Sequence, residues 1–261
     1  MNLVLVDRVD TTAVVTLNRP QARNALNPEL IAAITETFIA LDAADDVTAI
    51  VLTGADPAFC AGVDLKHLAT TERSADGLGL DASFEPLPPH RTPVIGAING
   101  PTVTGGLELA LACDFLVASE RATFADTHAR VGVMPGGGLT ARLPRLVGVN
   151  RARQMSFTGD FIDARRAYEW GLVNEVLPHD RLLPRATEIA AAIASIPSRN
   201  VQEIRAMYEA VGALAGEAAW ARQEEWSRAW MAAAFDQARL ADQRAAIVAR
   251  GKSQQAPPPR R

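Results

Sequence analysis

The chain has 261 residues, of which 48% are hydrophobic and 21% are charged, which is enough apolar material for one main core. Its formal net charge is −4, and no Lys/Arg run is long enough to follow a polyphosphate backbone, so a nucleic-acid-binding protein is disfavoured. No uncharged apolar stretch reaches the roughly 18 residues of a membrane span, and the first residues lack a signal-peptide pattern. We therefore expect a cytoplasmic protein with a small-molecule partner, binding neither membrane nor nucleic acid.

The first half of the chain alternates short strand-like runs with helical periods, which is typical of repeated β–α units. The predicted strands are Thr12–Asn18, Ala49–Thr53, Pro93–Asn99 and Asp114–Ser119. Asn27 and Pro28 predict a helix start, followed by an apolar stripe at Leu30, Ile34, Phe38 and Leu41. A second helix is predicted to begin at Gly105. This order predicts an α/β fold.

The segment from His67 to Arg91 is a long, turn-rich stretch between predicted elements. Segments of this length within a compact domain are usually functional or disordered. We treat a cover over a bound ligand as a hypothesis, with plain disorder as the alternative.

The chain becomes helical almost throughout from Ala186 onward. Trp220, Trp226, Trp230 and Phe235 recur there every four to six residues, which favours a packing stripe, and an oligomer interface is a plausible surface to cover it. We expect a core over residues 1–185, a helical region over 186–252 and a proline-rich disordered tail over 253–261.

Two glycine-containing segments, Phe59–Leu65 and Thr104–Glu108, place backbone where a ligand could approach closely. The N–H of Gly105 falls in the first turn of a predicted helix, where unpaired amides favour negative charge. Glu108 lies three residues later, so its carboxylate projects from the same helix face. The Gly105 N–H and the Glu108 carboxylate together suit acid/base chemistry beside a developing oxyanion. The alternative is that the glycines only allow close helix packing and that the negative charge of Glu108 only interacts favourably with the helix dipole.

Several other kinds of site are excluded or disfavoured by spacing. The chain has no G-x-S-x-G elbow, the Gly251–Ser253 segment lacks the remaining glycine of a P-loop, and the Gly136–Gly138 run does not fit dinucleotide binding. The four histidines show no metal-ligand spacing, so we predict neither a metal nor a separate cofactor. Cys60 and Cys113 are too few for a disulfide framework. His128, before a glycine-rich turn, is either an ordinary polar side chain or a catalyst.

Four ordered blocks give the chain a strong resemblance to the enoyl-CoA hydratase/isomerase (crotonase) superfamily. The blocks are Asn18–Leu26, Phe59–Leu65, Asn99–Asp114 and Met134–Leu143, and the resemblance runs from about residue 3 to residue 252. It implies a crotonase-like spiral of ββα turns with a helical carboxyl-terminal trimerisation region, in trimers that commonly pair into hexamers. It also implies an oxyanion hole for an acyl-CoA thioester, with coenzyme A entering as part of the substrate.

The resemblance assigns roles to individual residues of this chain. The implied oxyanion donors are the N–H groups of Val63 and Gly105, and Glu108 matches the first catalytic glutamate. Residues implied to contact the acyl-CoA are Arg23, Ala25, Ala61, Asp64, Leu65 and Lys66, with Gly136 matching a glycine that helps hold the reacting water. Arg250 or Lys252 stands where a cation often lies near the CoA phosphates.

The second catalytic glutamate of the hydratases is replaced here by His128. Imidazole can donate or accept a proton near neutrality, so hydration of a 2,3-enoyl-CoA by Glu108 and His128 is the favoured reaction. Because His128 stands at the position of the second glutamate, the chain could also be a double-bond isomerase, or another crotonase-type lyase or hydrolase. A non-catalytic acyl-CoA-binding protein is the alternative from a different class. Chain length and pathway within fatty acid metabolism are not encoded in these motifs.

Overall fold

The computed structural model describes residues 2–65, 67, 85–212 and 214–233. It divides into two compact units, Met1–Glu203 and Ile204–Arg261. The expected boundary after residue 185 falls inside a helix of the first unit, Leu182–Ala194. The expected tail over 253–261 lies outside the described residues.

The described residues of the first unit form two sheets. The larger one has the order β1-β2-β3-β4-β6-β9, in which β1 runs antiparallel to β2 and all other neighbours are parallel. Its strands are β1 (Val4–Val9), β2 (Thr12–Leu17), β3 (Ala49–Gly54), β4 (Val94–Ile98), β6 (Phe115–Ser119) and β9 (Glu175–Leu177). The smaller sheet consists of β5 (Thr102–Val103), β7 (Thr123–Ala125) and β8 (Ile162–Asp163).

The helices follow the strands in the alternation that the sequence predicts. They are α1 (Pro28–Asp42), α2 (Gly105–Leu111), α3 (His128–Val131), α4 (Leu139–Val147), α5 (Val149–Thr158), α6 (Ala164–Glu169), α7 (Leu182–Ala194), α8 (Ser198–Gly212) and α9 (Gly216–Ala233). Asn27 caps α1 by accepting from Leu30 N, and the predicted stripe of that helix is buried. Short 3₁₀ helices cover Pro20–Ala22 and His179–Arg181.

The central strands of the larger sheet are buried on both faces, which explains their nearly continuous hydrophobic sequence. Ile50 and Leu52 of β3 belong to the main core, whereas Val51 points to the opposite face. Helix α7 covers that opposite face with Leu182, Ala186 and Ala190. The sheet therefore forms a rigid layer on which the connecting segments are held.

Two short strands of the smaller sheet bring distant parts of the chain together. Strands β5 and β7 are parallel, with Thr102 opposite Phe124 and Val103 opposite Ala125. Because the carboxyl ends of parallel strands meet at one edge, the residues that follow β5 and β7 become neighbours. Those residues are Thr104 and Asp126, each just before a helix that carries a predicted catalytic residue.

The second unit is described over residues 204–212 and 214–233 and is helical there. Helix α9 has no buried residue, and Trp220 is 69% exposed. The guanidinium of Arg222 packs 5.1 Å from the ring centroid of Trp226. Phe235, the last member of the predicted aromatic stripe, lies outside the described residues, and the predicted role of this stripe in an oligomer stays a prediction.

Candidate active site

The backbone N–H groups of Val63 and Gly105 lie side by side. A methyl group on the Gly105 Cα would stand 3.5 Å from Val63 N, and one on Gly62 would stand 3.4 Å from Gly105 N. Leu26 bonds the two amides that flank Val63, donating to Gly62 O at 2.7 Å and accepting from Asp64 N at 2.8 Å. The Val63 N–H therefore faces away from Leu26, because successive peptide groups of an extended chain alternate in direction. Within the described residues, neither the Val63 nor the Gly105 amide donates a backbone hydrogen bond.

The amide of Gly105 is held in place by a constrained residue, Thr104. Thr104 adopts φ 53° and ψ −112°, which is unfavourable for a β-branched side chain. Its N–H donates to Ala125 O at 2.9 Å, and its Oγ1 lies 2.5 Å from Thr127 Oγ1 and accepts from Thr127 N at 3.1 Å. The surrounding structure thus fixes the conformation that aims the next amide.

Gly106 explains why the first helical turn of α2 can approach the Cys60 segment. A Cβ at Gly106 would lie 2.1 Å from Cys60 O, so any larger residue would push these segments apart. The close packing that the sequence offered as one interpretation of these glycines is present at Gly106, and the role of Gly105 at an oxyanion stays a prediction.

Glu108 lies on α2, three residues after Gly105, and is buried with 2% of its surface exposed. Its Oε1 accepts from Gly137 N at 2.7 Å and from Leu139 N at 3.3 Å. Burial raises the pKa of Glu108 above its ordinary value, and the charge of His128 and the two backbone donors only partly oppose that shift. A carboxylate with a raised pKa is a better proton acceptor near neutral pH.

His128 begins α3 and is 5% exposed. Its Nε2 lies 3.7 Å from Glu108 Oε2, so the imidazole and the carboxylate face each other across a short gap. Its Nδ1 lies 2.6 Å from Asp126 Oδ1, and the same oxygen accepts from the His128 backbone N–H at 3.2 Å. The three side chains form a buried row in the order Asp126, His128, Glu108.

Asp126 is the site residue that sequence reasoning missed. It is 1% exposed, and although burial raises its pKa, hydrogen bonds from His128 and an interaction with Ser156 outweigh burial, so the pKa is lowered. Its Oδ2 makes no hydrogen bond within the described part of the chain. The Asp-x-His spacing was the available indication, because a short acidic side chain often bonds the backbone two residues on.

The Enoyl-CoA hydratase/isomerase family model matches residues 7–244. The chain belongs to this family. The "Probable enoyl-CoA hydratase 1, peroxisomal" of Arabidopsis thaliana is 39% identical over 198 residues, which is 75% of this chain and 74% of that protein.

Solved structures of other family members share the fold. An enoyl-CoA hydratase from Mycobacterium tuberculosis is 44% identical, with a TM-score of 0.74 over 87% of this chain and 98% of that one. A monofunctional enoyl CoA isomerase from M. smegmatis is 30% identical, with a TM-score of 0.70 over 84% of this chain and 98% of that one. The predicted crotonase-like α/β fold is confirmed, whereas the relatives' names include both hydratases and an isomerase.

Most of the residues that the family resemblance marked for CoA contact lie around Val63. Arg23 adopts φ 51° and its carbonyl accepts from Ala61 N at 3.0 Å. Asp64 pairs with Arg19 at 3.1 Å, and Arg19 also donates to Ala25 O. Arg19 was not singled out from the sequence, yet it ties the two predicted CoA-contacting segments together.

The remaining predictions concern residues that are exposed or that lie outside the described part of the chain. Leu65 is exposed, and Gly136 is exposed beside Gly137, whose N–H bonds Glu108. Lys66, Arg250, Lys252 and most of the His67–Arg91 segment lie outside the described residues. The roles assigned to all these residues stay predictions.

The described residues were also searched for other chemistry. Among them, no group of three or more His, Cys, Asp or Glu side chains is placed to hold a metal ion. Within the same described ranges, none of the helices combines the length and the apolar character that crossing a bilayer requires.

Proposed function

We propose that the chain hydrates a 2,3-enoyl-CoA thioester, adding water across the double bond through an enolate held by Val63 N–H and Gly105 N–H. The observation that carries this proposal is the approach of His128 Nε2 to within 3.7 Å of Glu108 Oε2, with Glu108 on the same helix as Gly105, whose backbone lies against Val63. Hydration needs one base, one acid and an oxyanion donor pair, and these groups supply all three.

The donor pair would stabilise negative charge on the thioester oxygen. Loss of one such donor typically costs about 3 kcal/mol of transition-state stabilisation. Backbone donors held by glycine packing and by Thr104 need no reorganisation when the charge develops, which is the condition for a large effect.

The two titratable side chains would move one proton each. Glu108 Oε2 takes a proton from water as the water oxygen bonds Cβ, and the electron pair of the double bond moves into the enolate. Protonated His128 then gives its Nε2 proton to Cα, which completes the 3-hydroxyacyl thioester. Transfer of the proton from Glu108 to His128 restores the starting state.

Double-bond isomerisation is the second candidate reaction. It is favoured by the histidine at the position of the second glutamate, because one imidazole can both remove a proton at one carbon and return it to another. The sequence similarity to a protein named as a monofunctional enoyl CoA isomerase points the same way.

Hydration is tested by the loss of conjugated enoyl thioester absorbance with short and medium acyl chains. We expect loss with the wild-type protein and at least a 10²-fold slower loss with Glu108→Gln, which keeps an acceptor for Gly137 N–H. Equal rates for the two proteins would refute the proposal. Appearance of conjugated absorbance from a 3-enoyl thioester would instead support the isomerase, and thioester binding without either change would support a binding protein.

The assembly and the compartment remain part of the proposal. We propose a homotrimer or hexamer built through residues 186–252, and analytical ultracentrifugation of the full chain measures the state directly. The cytoplasmic location is likewise a prediction, since the Arabidopsis relative is named as peroxisomal.

A further inference from the structure

We infer that Asp126 is a positioning residue for His128, holding the imidazole so that Nδ1 carries a proton and Nε2 is the nitrogen presented to Glu108 and to the substrate. This inference rests on the proposed reaction for its kinetic consequences, but the state of the ring can be measured without turnover.

The geometry limits the imidazole to one orientation. A single oxygen, Asp126 Oδ1, accepts both from the His128 backbone N–H at 3.2 Å and from Nδ1 at 2.6 Å. The two contacts fix the side chain relative to its own backbone, so rotation of the ring would break the shorter bond. Asp126 is itself positioned at the end of β7, where the next residue, Thr127, bonds Thr104.

The chemistry of the partners fixes the tautomer. An ionised carboxylate can only accept hydrogen bonds, so the ring nitrogen that faces Asp126 must carry the hydrogen. The lowered pKa of Asp126 keeps this carboxylate ionised at neutral pH. Nε2 is then either a lone-pair acceptor or, in the protonated ring, a donor, and both forms are needed in one catalytic cycle.

The distance to Glu108 fits a gap that a reacting group can enter. At 3.7 Å, Nε2 and Glu108 Oε2 are beyond a direct hydrogen bond, and a water molecule or a substrate carbon between them would meet both groups. The second oxygen of Glu108 is already bonded to Gly137 N and Leu139 N, so the acid/base pair has one free atom on each side.

Two carboxylates face the imidazole and no described cation does. Asp126 lies two residues before it and Glu108 projects from α2. Helix α5 packs against α3 and brings the neutral hydroxyl of Ser156 towards Asp126, whereas Arg130 of α3 turns outward to Asp160 at 3.7 Å. The imidazole therefore lies between two carboxylates, with one carboxylate near each ring nitrogen.

The kinetic test replaces Asp126 by Asn, which keeps the volume and an oxygen that can accept from the His128 backbone N–H. We expect kcat to fall about 10- to 100-fold with KM within about threefold, because the ring loses its fixed tautomer but the CoA contacts remain.

The matched control is Asp56→Asn, the same change at another aspartate that bonds a histidine. Asp56 Oδ2 lies 3.0 Å from His179 Nε2, outside the candidate active site. This variant should keep the wild-type kcat and pH profile. An Asp126→Asn protein with the wild-type kcat would overturn the inference.

The direct test is ¹⁵N NMR of the histidine rings in the wild-type protein, with the His128 signals assigned by their loss in His128→Gln. We expect the neutral ring to carry its proton on Nδ1 and to become a mixture of tautomers in Asp126→Asn. A wild-type ring protonated on Nε2 alone would overturn the inference. If the wild-type protein hydrates no thioester, the proposed reaction fails, and this measurement still decides the role of Asp126.

Discussion

Two aspartate–histidine pairs with measured distances lie among the described residues of the first unit, and they differ in what surrounds them. Asp126 lies 2.6 Å from His128 Nδ1 and is 1% exposed, whereas Asp56 lies 3.0 Å from His179 Nε2 with a side chain that is 60% exposed. The other nitrogen of His179 lies 3.0 Å from Ser119 Oγ, so both of its ring nitrogens have partners within the protein. The other nitrogen of His128 faces Glu108 across a gap.

The difference shows that pairing a histidine with a carboxylate is not enough to make a site. The Ser119–His179–Asp56 row has the residue types of a hydrolase triad, but Ser119 is fully buried and its Oγ also accepts from Arg121 N at 3.1 Å. This row joins strand β6 to two connecting segments. The Asp126–His128–Glu108 row instead leaves Nε2 of His128 facing a buried carboxylate across a 3.7 Å gap, where a reacting group could enter.

The largest expected effect comes from removing the base of the buried row. Glu108→Gln should lower kcat by about 10³-fold with KM changed little, because Gln keeps the bonds of Oε1 but cannot accept the proton of water. Initial rates of enoyl thioester hydration measure this. A kcat within tenfold of the wild type would show that Glu108 is not the base.

The next largest effect separates the two histidines. His128→Gln should lower kcat about 10²-fold, whereas His179→Gln should leave it within twofold, since only His128 faces the site. If the two variants lose kcat equally, at equal folded fraction by circular dichroism, His128 is no more important for the reaction than His179.

Much of this arrangement was accessible from the sequence, for physical reasons that can be named. The strands of the larger sheet are hydrophobic runs bounded by turn residues, and Gly105 with Glu108 stands at a helix start, so these features are local. The family blocks then added Val63 and the importance of position 128.

The rest depends on contacts that no local pattern contains. Strands β5, β7 and β8 have only two or three residues each, too few for a periodic pattern, yet their pairing brings Thr104 next to Thr127. The Arg19–Asp64 pair joins residues 45 positions apart, and the pairing of His179 with Asp56 spans 123 positions. Asp126 was missed because an i, i+2 spacing matches neither a metal site nor a helix face.

The smallest expected effects concern stability. The contributions of Glu108 and Asp56 to the free energy of unfolding should change with pH in opposite directions. The pKa of Glu108 is raised above its ordinary 4.5, so its ionised form costs stability as pH rises from that value through the native pKa. Glu108→Gln should therefore raise Tm at pH 7 by about 2–4 °C, and the gain should shrink as pH falls towards 4.5.

Asp56 should behave in the opposite way. Burial raises the pKa of Asp56, but hydrogen bonds from Asn99 and His179 and the nearby positive charges together outweigh burial and lower that pKa. The contribution of Asp56 to stability is therefore present at neutral pH and is lost in acid. Asp56→Asn should lower the free energy of unfolding at pH 7 by less than about 1 kcal/mol, because the pair is exposed. Thermal unfolding from pH 3 to pH 8 checks both variants. A change of Tm at pH 7 in the same direction for Glu108→Gln and Asp56→Asn would contradict these predictions.

The central claim is that two backbone amides bind the thioester oxygen beside the Glu108–His128 gap. A crystal structure of the protein with a non-reactive acyl-CoA bound tests it most directly. We predict the thioester oxygen within about 3.2 Å of both Val63 N and Gly105 N, with Cα and Cβ facing His128 and Glu108. A thioester oxygen beyond hydrogen-bonding distance of both amides would contradict the account.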